Sequence, residues 1–273
     1  MKNNKNVVFN KCVKTHNDAK VKTTSGVINM LYGDTIGREI SKAHSIIISN
    51  GTVLEKLVSE YIKNNVECDV VEISTILDYN KEMDMFNSIR NNDDTFDISD
   101  RIYLIDKKIF KDIKHNNKGI EPDLLALIVK DGVTTFYVIE EKTGDNFDTK
   151  KSSAEKEHLT IFSKQLKKLN YVPGMGIKYY IVPFFSEKSK DKLSKYGFKN
   201  VFSEDELLTR DELSELFGID FNDLIDPYEE FRDINIRAFL NNLCEDPYIR
   251  EILLNNPNMK KDIERLNSLE KSI

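Results

Sequence analysis

The sequence predicts an α/β fold in which helices flank a β-sheet. Residues 124–129 are all apolar, residues 134–139 are β-branched or aromatic, and a Lys-Asp-Gly triplet lies between the two runs. This pattern is typical of a β-hairpin with a tight turn. An amphipathic helical pattern follows the hairpin, a further strand pattern follows that helix, and the chain is helical by pattern from Arg210 onward.

Before the hairpin, the sequence indicates one helix and two strands. Ser49 or Asn50 can cap the helix. Its apolar stripe at helical spacing consists of Leu54, Leu57, Val58, Tyr61 and Ile62. The two strands are expected within residues 68–76 and over residues 101–105. The second of these strands leads towards the hairpin.

After the hairpin, the pattern predicts two helices and two strands. The helices are expected at about 154–170, capped by Ser152 or Ser153, and at 187–196, and the strands at 178–184 and 199–202. Ser203 and Glu206 have the spacing of a capping box ahead of the C-terminal helices. The order of elements around the hairpin is therefore helix, strand, hairpin, helix, strand.

Charged residues at one end of the hairpin can meet. Asp123 enters the first strand, and Glu140 and Lys142 leave the second. A period of two puts Glu140 and Lys142 on one face and Glu141 on the other. Asp123 can lie close to Glu140 across the hairpin. Clustered carboxylates repel each other, and a divalent metal with hard oxygen ligands relieves this repulsion, so the pattern predicts a metal site that can activate water.

A Pro-Asp pair at 122–123, followed by Glu140-Glu141-Lys142, resembles the motif of the PD-(D/E)xK nuclease superfamily, and among its members a type II restriction endonuclease most closely. The resemblance is clearest over residues 51–208. It implies a restriction-endonuclease-like core, which is a mixed β-sheet flanked by helices. A C-terminal helical appendage would follow this core.

The resemblance also implies the chemistry. Asp123, Glu140 and Lys142 would be the catalytic residues. Mg²⁺, which Mn²⁺ can replace, would be held by Asp123, Glu140 and the backbone carbonyl of Glu141. Lys142 would orient the attacking water or help to deprotonate it, and would stabilise the developing charge. Glu141 departs from the family pattern, because that middle position is often apolar. A glutamate there is either a second acid near the site or a sign that the strand alternation is shifted by one residue.

Three further residues are candidates. In many superfamily members an early helix supplies an extra acid to the metal site, and Glu55 fits that role here. Gln165 lies on the predicted apolar face of the helix after the hairpin, together with Ala154, His158 and Ile161. Some nuclease relatives have a Gln on this helix, although this chain has Leu169 where they have a Tyr. Lys164 can contact phosphates, although the surface of a solvated helix shows the same pattern. For Glu55, the alternative interpretation is an ordinary glutamate at the edge of the apolar stripe.

Composition and charge limit the classes of protein that fit. The net charge is −6, but residues 203–273 carry a net −10 and the preceding residues a net +4, so the overall acidity does not exclude DNA binding by the first part.

The three cysteines fit no metal or disulfide pattern, which indicates a reducing compartment. No apolar run is long enough to span a membrane, and no signal-peptide pattern is present, so a cytoplasmic protein without membrane association is expected.

The expected function is that of a prokaryotic type II restriction endonuclease. Residues 1–208 would form the nuclease domain with an N-terminal extension, and residues 209–273 a helical region for DNA contact or dimerisation. The expected partners are double-stranded DNA, a second copy of the chain in a homodimer, and a cognate DNA methyltransferase. The alternatives are a structure-specific nuclease of recombination or repair, such as a resolvase or exonuclease, and a non-catalytic DNA-binding protein on the same fold.

Overall fold

The structure, a computed structural model, describes residues 15–19, 26–66, 70–73, 101–106, 114–115, 118–130, 133–169 and 176–256. The chain divides into two compact units. We call Leu54–Ile225 the sheet unit, and Met1–Val53 together with Asp226–Ile273 the helical unit. None of the helices in the described ranges is long and apolar enough to cross a membrane.

The main elements follow one another along the chain as helices and strands. The helices are α1 (Gly26–Asn65), α2 (Thr149–Leu169), α3 (Lys190–Lys192), α4 (Arg210–Phe217), α5 (Asp226–Cys244) and α6 (Pro247–Asn255). The strands are β1 (Val70–Ile73), β2 (Arg101–Ile105), β3 (Lys114–His115), β4 (Lys118–Gly119), β5 (Leu124–Lys130), β6 (Val133–Lys142) and β7 (Gly176–Pro183).

The sheet unit contains a five-stranded mixed sheet with the strand order β1-β2-β5-β6-β7. The outer pairs β1/β2 and β6/β7 are parallel, whereas β2/β5 and β5/β6 are antiparallel. The predicted mixed sheet with flanking helices is therefore confirmed. The predicted hairpin is confirmed as well, since β5 pairs with β6 from Leu124↔Ile139 to Lys130↔Val133. The turn residues 131–132 lie outside the described residues.

Helices cover both faces of this sheet. One apolar cluster joins α2 to β5 and β6 through Leu159, Phe162, Leu166, Leu125, Leu127, Phe136 and Val138. A second cluster, on the opposite face, joins α1 and α4 to the same strands through Leu54, Val58, Ile62, Leu213, Phe217, Leu124, Ala126 and Ile139. Burial on both faces explains why residues 124–129 are apolar without alternation.

The predicted start of the first helix at Ser49 or Asn50 is wrong, because α1 begins at Gly26. Ile46 and Leu54 are both buried, so packing holds the helix on either side of these polar residues and overrides their weak preference for a cap. The distortion in α1 lies instead at Gly33, whose φ is 79°. Glycine has no Cβ and accepts that positive φ readily.

Two predictions on the C-terminal side of the hairpin also need correction. The helix after β6 begins at Thr149, and Asp148 caps it by accepting a hydrogen bond from the Lys151 N–H at 2.8 Å. The strand predicted at 199–202 is not formed. Lys199 and Asn200 have φ values of 54° and 61°, and such left-handed residues turn the chain and cannot continue a strand. The predicted capping box of Ser203 and Glu206 is confirmed.

The helical unit is organised around a buried carboxylate, Glu39 in α1. Its Oε2 lies 2.6 Å from Nε2 of His16 and accepts a hydrogen bond from Nδ2 of Asn242 in α5 at 2.8 Å. Its Oε1 lies 2.9 Å from Nζ of Lys42 and 3.3 Å from Nε of Arg38. Glu39 has no exposed side-chain surface, so these partners compensate for the loss of its hydration.

Candidate active site

The ends of β5 and β6 bring the first predicted pair together. The ladder position Leu124↔Ile139 places Asp123 beside Glu140. Asp123 is fixed there, because its Oδ2 accepts a hydrogen bond of 2.9 Å from the backbone N–H of Glu141. The backbone of one strand therefore orients a carboxylate carried by the other.

The direction of each side chain follows from the alternation along β6. Val138 belongs to the α2 side of the sheet, so Glu140 and Lys142 also face α2. Asp123 shares that face, because it lies two residues before Leu125. Glu141 faces the other side and is only 7% exposed. The predicted alternation is thus confirmed, and Glu141 contributes its backbone, not its side chain, to the α2 side.

Lys142 lies between two carboxylates. Its Nζ is 2.5 Å from Oε1 of Glu140 and 3.1 Å from Oε1 of Glu155, which comes from α2. The three side chains are largely shielded from solvent, with exposures of 16% for Lys142, 14% for Glu140 and 22% for Glu155. The site therefore contains three acids, Asp123, Glu140 and Glu155, around one lysine.

Glu155 was missed by the sequence analysis because the buried face of α2 was placed wrongly. Ala154 was predicted on that face but is exposed. The residues of α2 that are buried are Ser152, Leu159, Phe162, Ser163 and Leu166. Glu155 lies four and seven residues before Leu159 and Phe162, so it shares their stripe. An acid on the sheet-facing stripe was the signal that could have identified it.

Burial and charge set the protonation of the two central groups. Burial, and then the negative charge of Asp123, raise the pKa of the Glu140 carboxyl to about 8. Burial alone would lower the pKa of Lys142, but the charges of Glu140 and Glu155 outweigh it and raise that pKa above its usual range. Lys142 is consequently a cation at neutral pH, and a nearby cation would favour the ionised form of Glu140, which burial and the charge of Asp123 disfavour.

The other three candidates lie on the helices that flank the sheet. Glu55 lies on α1, whose residues Leu54 and Val58 pack on the opposite face of the sheet. Lys164 is exposed and follows Glu155 by nine residues, which at about 100° per residue puts it on the opposite side of α2. Gln165 is half-buried.

Among the residues that the structure describes, no group of three or more His, Cys, Asp or Glu side chains has an arrangement that would hold a metal ion. The predicted ligand set has two side chains, those of Asp123 and Glu140, plus a backbone carbonyl.

Comparison with known proteins gives one informative relative. The chain is 32% identical over 231 residues to the type II restriction enzyme HhaII of Haemophilus parahaemolyticus, and the match covers 83% of this chain and 91% of that enzyme. No protein-family model and no solved structure matches the chain. The match spans nearly the whole relative. In this chain it includes the strands and the helix that carry the candidate site. The chain belongs to the type II restriction enzymes.

Proposed function

We propose that this protein is a metal-dependent, site-specific deoxyribonuclease that hydrolyses phosphodiester bonds in duplex DNA, as a PD-(D/E)xK enzyme would. The observation that carries the proposal is the grouping of Asp123, Glu140 and Lys142 on one face at one end of the β5–β6 hairpin. The similarity to a type II restriction enzyme supports a nuclease function for these residues.

The side chains of Asp123 and Glu140 and the carbonyl of Glu141 would hold Mg²⁺, with Mn²⁺ as a substitute. All three donors are oxygens, which these hard cations prefer. The raised pKa of Glu140 next to the charge of Asp123 is the electrostatic strain that a divalent cation relieves. When bound, the metal would supply a Lewis acid and a water of lowered pKa.

Lys142 would act as a fixed cation. Its raised pKa makes it a poor general base, so of the roles expected from the family resemblance we favour orientation of the water and stabilisation of negative charge on the phosphate. The carboxylates of Glu140 and Glu155 hold the ammonium from two sides. Such preorganisation lowers the reorganisation needed when charge develops in the transition state.

Cleavage of both strands calls for two such sites, since each chain carries one Asp-Glu-Lys set. We propose a homodimer in which the helical unit supplies the contact. Among the described residues of that unit, nine large apolar side chains are exposed: Met30, Leu31, Tyr32, Ile47, Ile48, Ile234, Ile236, Tyr248 and Ile252. The enzyme would work in a prokaryotic cytoplasm together with a DNA methyltransferase that protects the host sites.

The test is incubation of the purified protein with a large duplex of known sequence in Mg²⁺, with a chelator as the control. Discrete fragments of reproducible length are expected. A smear would point to an exonuclease, and DNA that stays intact while bound would point to a non-catalytic DNA-binding protein. Either of these results would overturn the proposal.

A further inference from the structure

A two-stranded ribbon stands apart from the main sheet. It consists of β3 and β4, which pair as Lys114↔Gly119 and His115↔Lys118. The ribbon belongs to the sheet unit and forms a two-stranded sheet of its own, separate from the five-stranded sheet. A ladder of this size has little stability of its own, so its position depends on other contacts.

Side-chain contacts attach the ribbon to α2. Nε2 of His115 lies 3.4 Å from Oε1 of Glu157, and the His115 ring meets the ring of His158 edge to face at 6.0 Å between centroids. Glu157 and His158 follow Glu155 by two and three residues. The helix that holds Lys142 through Glu155 therefore also holds the ribbon.

The ribbon must lie near the candidate catalytic residues. Only four peptide units separate Gly119 from Asp123, and an extended chain of that length spans at most about 14 Å. The contacts of His115 with α2 fix the other strand. The ribbon is thus confined to the neighbourhood of the hairpin end that carries Asp123 and Glu140.

The composition of the ribbon suits a polyanion better than a protein core. Residues 114–119 contain two lysines and a histidine and no acid, and Lys114 is exposed. None of these six residues has an apolar side chain that could add to either cluster of the sheet unit. Lysine side chains beside a phosphodiester-cleaving site can neutralise phosphates of the same duplex.

We propose that the β3–β4 ribbon is a DNA-contacting arm that binds duplex phosphates next to the scissile bond, with Lys114 as a direct contact and His115 as the residue that positions the arm. The proposal rests on the nuclease function proposed above. It adds the element that aligns the duplex with the catalytic residues. Phosphate contacts of this kind set the position and orientation of a protein on DNA, whereas base contacts set its sequence preference.

The experiment measures binding of a fluorescein-labelled 30-base-pair duplex of mixed sequence, by anisotropy in a chelator, between 50 and 200 mM NaCl. Loss of one phosphate contact in Lys114→Ala should reduce the slope of log affinity against log salt by about 0.9. The matched control is Lys130→Ala. Lys130 is also exposed, but it lies at the far end of β5, about 20 Å from the Asp123 end, and its substitution should leave the slope unchanged.

A second variant separates positioning from charge. His115→Ala removes the contact with Glu157 but no lysine, so it should weaken binding and slow cleavage with little change in the salt slope. The DNA-contacting role of the ribbon would be rejected if the wild type cuts DNA and has the same salt slope as both Lys114→Ala and Lys130→Ala. Wild-type binding and cleavage by His115→Ala would overturn the positioning role. A protein that binds duplex with the predicted slopes but never cuts it would instead reject the nuclease function and leave the arm in place.

Discussion

The ammonium of Lys142 and the carboxylate of Glu155 lie 3.1 Å apart, although one belongs to β6 and the other to α2. Glu155 therefore draws Lys142 towards the helix while Glu140 draws it along the strand. Its charge also contributes to the raised pKa of Lys142. We infer that Glu155 positions the lysine and keeps it protonated.

Glu155→Gln tests this role. Loss of one charged partner of Lys142 should slow cleavage about ten- to a hundredfold, since a hydrogen bond to a charged group contributes about 1.5–3 kcal/mol and 1.36 kcal/mol corresponds to a factor of ten in rate. The loss should appear in kcat with little change in KM for the duplex, because Glu155 contacts Lys142. Glu155→Asp should recover part of the rate. Glu215→Gln changes an exposed glutamate of α4 and is the control. A wild-type kcat for Glu155→Gln would reject the positioning role.

The catalytic assignment is tested by Asp123→Ala, Glu140→Ala and Lys142→Ala. Each should slow cleavage by at least about a hundredfold, the usual scale for loss of a preorganised charge or proton-transfer group. Binding of duplex should change little, because most of its affinity comes from phosphate contacts elsewhere. Lys130→Ala removes the same charge as Lys142→Ala at the other end of the hairpin and should cut normally. Wild-type turnover by Lys142→Ala would show that the motif is a coincidence.

The proposed metal site predicts the effect of metal removal. Cleavage should need Mg²⁺ or Mn²⁺, stop in EDTA and return with excess Mg²⁺. Asp123→Ala and Glu140→Ala should weaken Mg²⁺ binding in calorimetry, since each removes a ligand. Glu55→Gln tests the extra ligand expected from the family resemblance, and an unchanged titration would exclude it. Full activity in EDTA would reject the metal-dependent mechanism.

The central part of the fold was predictable because local and global signals agree there. The apolar run of β5, the β-branched run of β6 and the turn between them all favour a hairpin, and the hairpin forms with the expected alternation. This alternation placed Glu140 and Lys142 on one face from sequence alone. The prediction failed in two places where it used only local signals. At residues 49–51 the helix continues and does not begin there. At residues 199–202 two left-handed residues prevent a strand.

Glu155 shows why part of the site was not predictable. Its contact with Lys142 crosses from a helix to a strand and depends on how α2 is rotated against the sheet. The apolar residues of α2 allow two overlapping stripes, one through Ile161 and one through Leu159 and Leu166. The structure selects the second, which turns Glu155 towards the sheet. Periodicity gives the presence of an amphipathic helix, but the rotation of a helix with a broad apolar face is set by the surface it packs on.

The buried carboxylate of Glu39 predicts acid sensitivity of the helical unit. Burial alone would raise its pKa, but hydrogen bonds from Asn242, His16 and Lys42 outweigh burial and lower the pKa from 4.5 to about 2. Because the folded pKa is the lower one, the stabilisation is present above about pH 4.5 and is lost as the pH falls towards 2. It amounts to about 3 kcal/mol at 1.36 kcal/mol per pKa unit.

The measurement compares the free energy of unfolding in urea for wild type and Glu39→Gln between pH 7 and pH 2.5. The difference between the two proteins should be largest at neutral pH and should shrink as the pH falls below about 4.5. Glu245→Gln, which changes an exposed side chain of the same unit, controls for the loss of one carboxylate. A difference that does not depend on pH would contradict the charged state assigned to Glu39.

The homodimer predicts a mass and a cleavage product. Of the large apolar side chains that are exposed in the described part of the chain, nine lie in the helical unit, whereas Val133 and Tyr196 lie in the sheet unit. Such a concentration is typical of a surface that binds a partner. A second copy of the chain is the partner that also supplies the second catalytic set, and its twofold symmetry suits a palindromic site.

Light scattering should therefore give a protein mass of twice the chain mass of 31.6 kDa, for the free protein or, after the mass of the duplex is subtracted, for its complex with DNA. Ile252→Glu places a charge on the exposed face of α6 and should yield a monomer that nicks single strands, because burial of an unpaired charge opposes association. Val133→Glu places the same charge on a side chain of similar exposure, 63% against 50%, in the sheet unit, and should remain dimeric. A wild-type monomer in both states, with nicks as the final product, would reject the dimer and leave the single-site chemistry of Asp123, Glu140 and Lys142 unaffected.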